Sequence, residues 1–167
     1  MTVRPARDAE WPDVLEIHRR AFGSDVEPRM ADDVRASDGF VPALSLVAED
    51  DEALVGHVLT SWVGLQGSPR RLLQLGPIAV VPEHQGRGIG SALVRATLEA
   101  VRALGEPLVL LEGDPGYYRR FGFVRADELG LLPPPEALHD WAFQVAVLDD
   151  DAEVPQGRVV YPPTFLH

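Results

Sequence analysis

The segment from residue 75 to residue 91 joins an apolar run to a helical pattern through a loop that contains three glycines. Residues 78–81 suit a buried strand, because β-branched side chains pack well on a pleated surface. Pro82 ends the strand by removing a backbone donor. Gly86, Gly88 and Gly90 have no Cβ, so the loop backbone can take up positive φ angles and approach a ligand closely. The predicted strand is therefore followed by a loop with an exposed backbone, which leads into the predicted helix.

Residues 89–104 have the spacing of an amphipathic helix. Its apolar stripe consists of Ile89, Leu93, Ala96, Ala100 and Leu104. The N-terminus of a helix carries unpaired N–H groups and the positive end of the helix dipole, and both attract phosphate. Arg87 adds a full positive charge to the same loop. The pattern therefore predicts a phosphate-binding loop over residues 85–91.

Two common phosphate-binding motifs fit this loop poorly. The P-loop requires a lysine after its second glycine, and all 15 basic residues of the chain are arginines. The dinucleotide-binding fingerprint G-x-G-x-x-G follows its strand directly. Here several residues intervene, and Ser91 follows Gly90. A nucleotide-binding α/β domain is therefore a weaker alternative, and a glycine-rich turn without a ligand is another.

Length and composition exclude several classes of function. The 167 residues are about the length of one domain, so we expect residues 1–167 to form a single domain. The absence of cysteine excludes disulfides, thiol catalysis and cysteine-ligated zinc. No two histidines have i,i+4 spacing, so we expect no metal site. A net charge of −11 argues against nucleic-acid binding through a basic surface, and it favours attraction of cationic substrates.

The sequence gives no sign of membrane association. No apolar run approaches the ~20 residues that a membrane-spanning helix needs. The first residues also lack the apolar core of a signal peptide. We therefore expect a cytoplasmic protein that does not bind a membrane. The oligomeric state stays open, with a homodimer as one alternative.

The rest of the chain alternates between strand and helix patterns. Apolar spacing predicts a first helix that begins near residues 8–9 and ends at Phe22, and a second helix over residues 27–37. Gly56, within a strand pattern, indicates a bulge or a close approach of another element. Strands are expected over residues 2–4, 44–48, 53–63, 70–81, 107–111 and 141–148.

A second motif follows the strand that ends near residue 111. Asp114 can cap a short helix, and Pro115 suits the first helical position. Tyr117 and Tyr118 follow, and residues 121–123 open the next strand with the sequence Phe-Gly-Phe.

Both motifs resemble signatures of the GNAT family, the acetyl-CoA-dependent N-acetyltransferases. Residues 85–90 are similar to the family pattern Q/R-x-x-G-x-G/A, and residues 118–123 are similar to its second pattern, Y-x-x-x-G-F. The Y-P-P-x-F tail at residues 161–165 resembles an uncharacterised bacterial subgroup of the family. The resemblance implies an α+β fold with a mixed, mostly antiparallel central sheet flanked by helices.

The resemblance also implies roles for individual residues. The pyrophosphate of coenzyme A would be held by Gln85, Gly86, Arg87, Gly88, Ile89, Gly90 and Ser91. The backbone groups of Ile78, Ala79 and Val80 would run beside the pantetheine arm, with the Ile78 amide facing the thioester oxygen. Tyr118 would protonate the departing sulfur, since the reference pKa of a phenol is close to that of a thiol.

The general base stays open between two carboxylates and water. Glu112 and Asp114 lie where a strand ends near the expected thioester, and either takes the amine proton directly or through water. The implied reaction moves an acetyl group from acetyl-CoA to a primary amine of a small molecule or a peptide. The alternative is a catalytically inactive CoA-binding module that acts as a sensor or in assembly.

Overall fold

The computed structural model describes residues 1–166. The helices are α1 (Trp11–Phe22), α2 (Val26–Arg35), α3 (Ile89–Ala103) and α4 (Pro115–Tyr118). The strands are β1 (Thr2–Pro5), β2 (Phe40–Asp50), β3 (Ala53–Leu65), β4 (Ser68–Val80), β5 (Leu108–Glu112), β6 (Phe123–Arg125), β7 (Leu131–Leu132), β8 (Phe143–Val147) and β9 (Gly157–Val160). Short 3₁₀ turns connect several of these elements. In this part of the chain, no helix combines the length and the apolar character that crossing a bilayer requires.

One mixed sheet forms the centre of the protein. Its strands lie in the order β1-β2-β3-β4-β5-β8-β6, and β9 pairs with both β3 and β7. Adjacent strands along this order run antiparallel except β4 and β5, which are parallel. The predicted fold class, a mixed and mostly antiparallel sheet flanked by helices, is therefore confirmed.

The parallel pairing of β4 with β5 is short. It joins only two residues of β4, Leu73 and Gln74, to β5. Directly after them, β4 bulges at Gly76–Pro77, where its register against β3 shifts. Within the described residues, 75–80 have no strand partner on the β5 side, so the two strands are free to diverge as β4 approaches the glycine loop.

Helix α3 covers one face of the sheet with side chains that include the fully buried Leu93 and Val94. Burying an aliphatic side chain of this size stabilises the fold by ~1.5–3 kcal/mol. Gly56 of β3 lies directly beneath the helix. A Cβ on Gly56 would be 3.1 Å from the Leu93 side chain and 3.2 Å from the carbonyl oxygen of Ala79. The close approach predicted at Gly56 is confirmed.

Helices α1 and α2 pack against Val47 of β2 and Leu59 of β3. The neighbouring Leu46 and Val58 belong instead to the cluster under α3. Because successive side chains of a strand point to opposite faces, α1 and α2 cover the face opposite α3. The side chains that these two helices contribute are Trp11, Val14, Ala31 and Val34.

Several element boundaries differ from the sequence predictions. The first helix begins at Trp11, because Asp8–Glu10 form a 3₁₀ turn, a common start to an α-helix. In the same way β8 begins at Phe143, because Asp140–Ala142 form another 3₁₀ turn. These differences shift the ends of elements and leave their order unchanged.

Candidate active site

The glycine loop, residues 85–91, leaves β4 through a 3₁₀ turn at Pro82–His84 and enters α3. Gly86 and Gly88 have φ angles of 77° and 82°, which side-chain-bearing residues adopt only with strain. Gln85 fixes the turn, because its Nε2 donates to the carbonyl oxygen of Val80 at 2.9 Å. Two left-handed glycines and one side chain therefore make the reversal from strand to helix.

Gly90 does not use the conformational freedom that the sequence suggested. It lies inside the first turn of α3, where its φ is not positive. Its missing side chain instead leaves room for Tyr117, since a Cβ on Gly90 would be 3.4 Å from the Tyr117 hydroxyl. That hydroxyl also lies 3.0 Å from Oγ of Ser91. The ring of Tyr117 thus closes one side of the loop.

A cavity of about 350 Å³, here called the glycine-loop cavity, opens over the loop. Its lining includes Val80, Gly86, Gly88, Ile89, Tyr117 and Arg120. No side chain caps the start of α3 at Gly88, so the first N–H groups of the helix lack intrahelical partners and can bind an anion. The Arg120 guanidinium lies 4.6 Å over the Tyr117 ring and adds a positive charge. Arg87 is exposed on the loop outside this lining.

Tyr118 follows Tyr117 at the end of α4 and is not part of the lining of the glycine-loop cavity. Its ring packs so closely on Gly113 that a Cβ at that position would overlap the ring. Tyr117 and Phe123 meet the same ring edge-on, at centroid distances of 4.9 and 5.9 Å. Burial raises the pKa of Tyr118 to about 12, so the phenol keeps its proton at neutral pH. Within residues 1–166, its hydroxyl makes no hydrogen bond.

A second cavity, of about 370 Å³, lies beside the bulge of β4 and is here called the bulge cavity. Glu112, the last residue of β5, lines it together with Gln74 and Pro77 of β4. The other walls come from α2, from the loop after β7 and from the chain that follows β9. The structure therefore brings Glu112 to a cavity next to the point where the pairing of β4 with β5 ends.

A hydrogen-bonded chain fixes one wall of the bulge cavity. The Tyr161 hydroxyl donates to Oε1 of Glu112 and accepts from Nε2 of Gln74 at 2.7 Å. A phenol has one proton and a carboxylate only accepts, so Gln74 is the donor to Tyr161 and its Oε1 is left free. Burial, together with the adjacent Glu112 carboxylate, raises the pKa of Tyr161 well above its usual value. Tyr161 therefore stays protonated and holds Glu112 in place.

Sequence reasoning missed four residues of these two cavities. Tyr161 and Glu112 are 49 positions apart, so no local spacing connects them. Gln74 gave a weak signal as a polar residue within an apolar run. Tyr117 and Arg120 belong to the second motif, but the direction of their side chains depends on the turn geometry of α4. In the structure Tyr117 faces the glycine loop, whereas Tyr118 packs on Gly113.

Two other polar side chains have hydrogen-bond partners within the fold. Oδ1 of Asp114 accepts from the amide of Gly116 at 2.9 Å, which is the predicted helix cap. His57 is fully buried, 2.8 Å from Nε2 of His18 and 2.9 Å from Oγ of Ser45. Among residues 1–166, no group of three or more potential ligand side chains is arranged to hold a metal ion.

Comparison with known proteins finds one family that matches most of the chain. Residues 2–126 match the model of the acetyltransferase (GNAT) domain. The uncharacterised N-acetyltransferase YhbS of Escherichia coli (strain K12) is 36% identical over 156 residues, which cover 91% of this chain and 90% of YhbS.

Two solved structures are similar along nearly the whole chain. The crystal structure of Escherichia coli YhbS in complex with CoA has a TM-score of 0.90 at 32% identity, and the match covers 99% of this chain and 92% of YhbS. A GNAT family acetyltransferase from Brucella melitensis in complex with acetyl-CoA has a TM-score of 0.81 at 31% identity, with coverages of 98% and 97%.

Proposed function

Because the chain belongs to the GNAT family of N-acetyltransferases, we propose that it transfers an acetyl group from acetyl-CoA to a primary amine. The observation that carries the proposal is that β4 stops pairing with β5 after Gln74, ahead of the residues that lead into the glycine loop, with a cavity at each end of this unpaired stretch. Similar structures hold CoA or acetyl-CoA, which supports the choice of acyl donor.

In this proposal the pyrophosphate of the donor binds at the glycine loop. The unpaired N–H groups at the start of α3 face its oxygens, and Arg120 and Arg87 contribute positive charge. The pantetheine arm then runs along residues 78–80 of β4, where the described chain has no strand partner on the β5 side. The amide of Ile78 is the proposed donor to the thioester oxygen, since Pro77 has no N–H.

The proposed reaction moves an acetyl group from sulfur to nitrogen and releases one proton. The amine arrives as an ammonium ion and loses one proton to Glu112, directly or through water. The free amine attacks the thioester carbonyl carbon, a C–N bond forms, and the C–S bond breaks. The departing thiolate takes a proton from the Tyr118 phenol, and the second proton of the nitrogen restores the phenol through water. The products are an N-acetyl amide, free CoA and one proton released to solvent.

Tyr118 is suited to the role of acid in this scheme. Its raised pKa keeps it protonated until a thiolate forms beside it, and the same burial removes competing water. Glu112 is suited to the role of base because it lies in a cavity at the divergence of the two strands. A CoA-binding module without catalysis would need neither group.

The test combines binding with turnover. Calorimetry with purified protein should detect association with acetyl-CoA, and a free-thiol assay should detect CoA release when primary amines are added. Binding without thiol release for every amine would favour the inactive module. Tight binding of NAD with no binding of acetyl-CoA would favour a nucleotide-binding domain and contradict the proposal.

A further inference from the structure

The polar groups that line the bulge cavity can accept hydrogen bonds from a ligand, and none of them carries a positive charge. Glu112 and Glu136 contribute two carboxylates, and within residues 1–166 no arginine or histidine lines this cavity. The remaining surface is largely apolar, with Met30, Leu138 and Phe165 around the opening. Such a lining favours a ligand that combines a cation with an apolar body.

Gln74 gives an independent sign of a missing donor. It lines the cavity and is 5% exposed, and its Oε1 has no hydrogen-bond partner in the described part of the chain. The single proton of Tyr161 fixes the amide of Gln74 with Nε2 toward the phenol, so Oε1 cannot use that partner. Buried acceptors in native structures are normally satisfied, and an N–H group of a ligand would satisfy this one.

We propose that the bulge cavity is the acceptor site and selects an organic ammonium ion with an apolar body and no carboxylate beside its amine, with Glu112 accepting from the ammonium and Tyr161 positioning Glu112. This inference rests on the proposed acetyl transfer and adds the class of acceptor. Phenethylamine, an aromatic ring on a two-carbon chain that ends in an amine, represents the class.

The exclusion of amino acids follows from the same lining. An α-amino acid would bring a carboxylate within a few ångströms of Glu112, and the cavity offers no cation to pair with it. A buried charge without a partner is strongly disfavoured, and a like charge nearby adds to the penalty. Phenylalanine, which differs from phenethylamine only by that carboxylate, should therefore bind poorly.

Tyr161 acts in this proposal as a positioning residue. Its hydroxyl joins Glu112 of β5 to Gln74 of β4 and so holds the carboxylate at the point where the two strands part. Tyr161→Phe removes both hydrogen bonds while keeping the ring and its packing against Phe165, whose centroid is 5.0 Å away. A purely structural role would change stability and leave the pH dependence of turnover unaltered.

The first experiment measures binding to the protein saturated with CoA. Calorimetry compares phenethylamine, phenylalanine and phenethyl alcohol, which carry respectively a cation, a cation with a carboxylate, and a neutral hydroxyl. We expect phenethylamine to bind at least about tenfold more tightly than either analogue. Equal affinity for phenylalanine, or no binding of phenethylamine at millimolar concentration, would overturn the inference.

The second experiment assigns the effect to named residues. Glu112→Gln should weaken phenethylamine binding by about tenfold or more and leave phenethyl alcohol unaffected. Glu99→Gln, on the exposed side of α3, is the matched control and should change neither. Tyr161→Phe should lower kcat and shift the pH profile of turnover. Unchanged phenethylamine binding in Glu112→Gln, or an unshifted profile in Tyr161→Phe, would contradict the assignment.

The failure of this inference is distinguishable from the failure of the proposed function. If acetyl-CoA binds and thiol is released with carboxylate-bearing amines as readily as with phenethylamine, the acetyl transfer stands and the acceptor class is wrong. If acetyl-CoA does not bind at all, the proposed function itself fails.

Discussion

The glycine loop and the bulge cavity lie along the same stretch of β4, but they are built in different ways. The glycine loop comes from one short segment and presents mainly backbone groups. The bulge cavity is assembled from side chains of five separate segments, which contribute Met30, Gln74, Glu112, Glu136 and Phe165. The difference indicates that the proposed donor site depends on local conformation, whereas the proposed acceptor site depends on tertiary packing.

The strongest test of the backbone site is Gly88→Val. A branched side chain at a φ of 82° strains the loop and occupies the space proposed for phosphate. We expect acetyl-CoA affinity to fall at least about 100-fold, or about 2.8 kcal/mol, by calorimetry. Gly105→Val is the matched control, because Gly105 has a φ of 78° at the other end of α3. Equal loss of binding in both variants would mean that stability, and not the loop, is responsible.

The two adjacent tyrosines separate binding from chemistry. Tyr118→Phe should lower kcat by about 100-fold, a typical contribution of a general acid, and leave acetyl-CoA affinity nearly unchanged. Tyr117→Phe loses only the contact with Ser91, so it should weaken acetyl-CoA binding by a few-fold and preserve kcat. Steady-state kinetics at saturating acetyl-CoA distinguishes the two. Unchanged kcat in Tyr118→Phe would remove this residue from the mechanism.

Low pH should destabilise the fold that supports both regions. Burial lowers the pKa of His18 to about 4, below the value of 6.5 expected in the unfolded chain, and burial also lowers the pKa of His57. The folded state is therefore not penalised by His18 above pH 6.5, where the imidazole is neutral in both states. As the pH falls toward 4, the unfolded chain binds the proton first and the free energy of unfolding decreases. His18 alone should reduce the free energy of unfolding by about 3 kcal/mol over that window.

Urea unfolding across this pH window measures the loss. The free energy of unfolding should depend less steeply on pH in His18→Leu. It should keep its full pH dependence in the control His139→Gln, since His139 is exposed. Both cavities should lose their ligands together as the protein unfolds. A variant that keeps the full slope without His18 would assign the pH dependence to other groups.

The smallest expected effect concerns Phe165, which forms part of the wall of the bulge cavity. Phe165→Ala removes an aromatic side chain from the bulge cavity and should raise KM for phenethylamine about fivefold, or ~1 kcal/mol. Acetyl-CoA affinity should not change. Leu166→Ala, at an exposed neighbour, is the control. A change in acetyl-CoA affinity would show that the two cavities are less independent than their construction indicates.

Local features of the fold were predictable from the sequence because neighbouring residues determine them. The Asp114 cap and Pro115 at the start of α4 were both expected, and the structure has them. The close packing at Gly56 follows from a glycine inside a strand. The assignment of donor-binding and catalytic roles to residues 78–80 and 85–91, Glu112 and Tyr118 stays a prediction.

The features that escaped prediction depend on distant contacts or on side-chain direction. Tyr161 reaches Glu112 only because β9 pairs with β3 and brings the following residues across the sheet. The direction of the Tyr117 side chain could not be predicted because α4 is a single turn, too short for its periodicity to define a face. The histidine pair at His18 and His57 joins α1 to β3, which no sequence spacing indicates.

The path of the chain after β9 has a practical consequence for making and immobilising the protein. Tyr161 and Phe165 line the bulge cavity, so a purification tag or fusion partner attached close behind Phe165 would lie near the proposed acceptor site. The other terminus begins at β1, and two strands separate β1 from β4 in the sheet. Affinity tags and surface couplings therefore belong at the N-terminal end, where they leave the opening free.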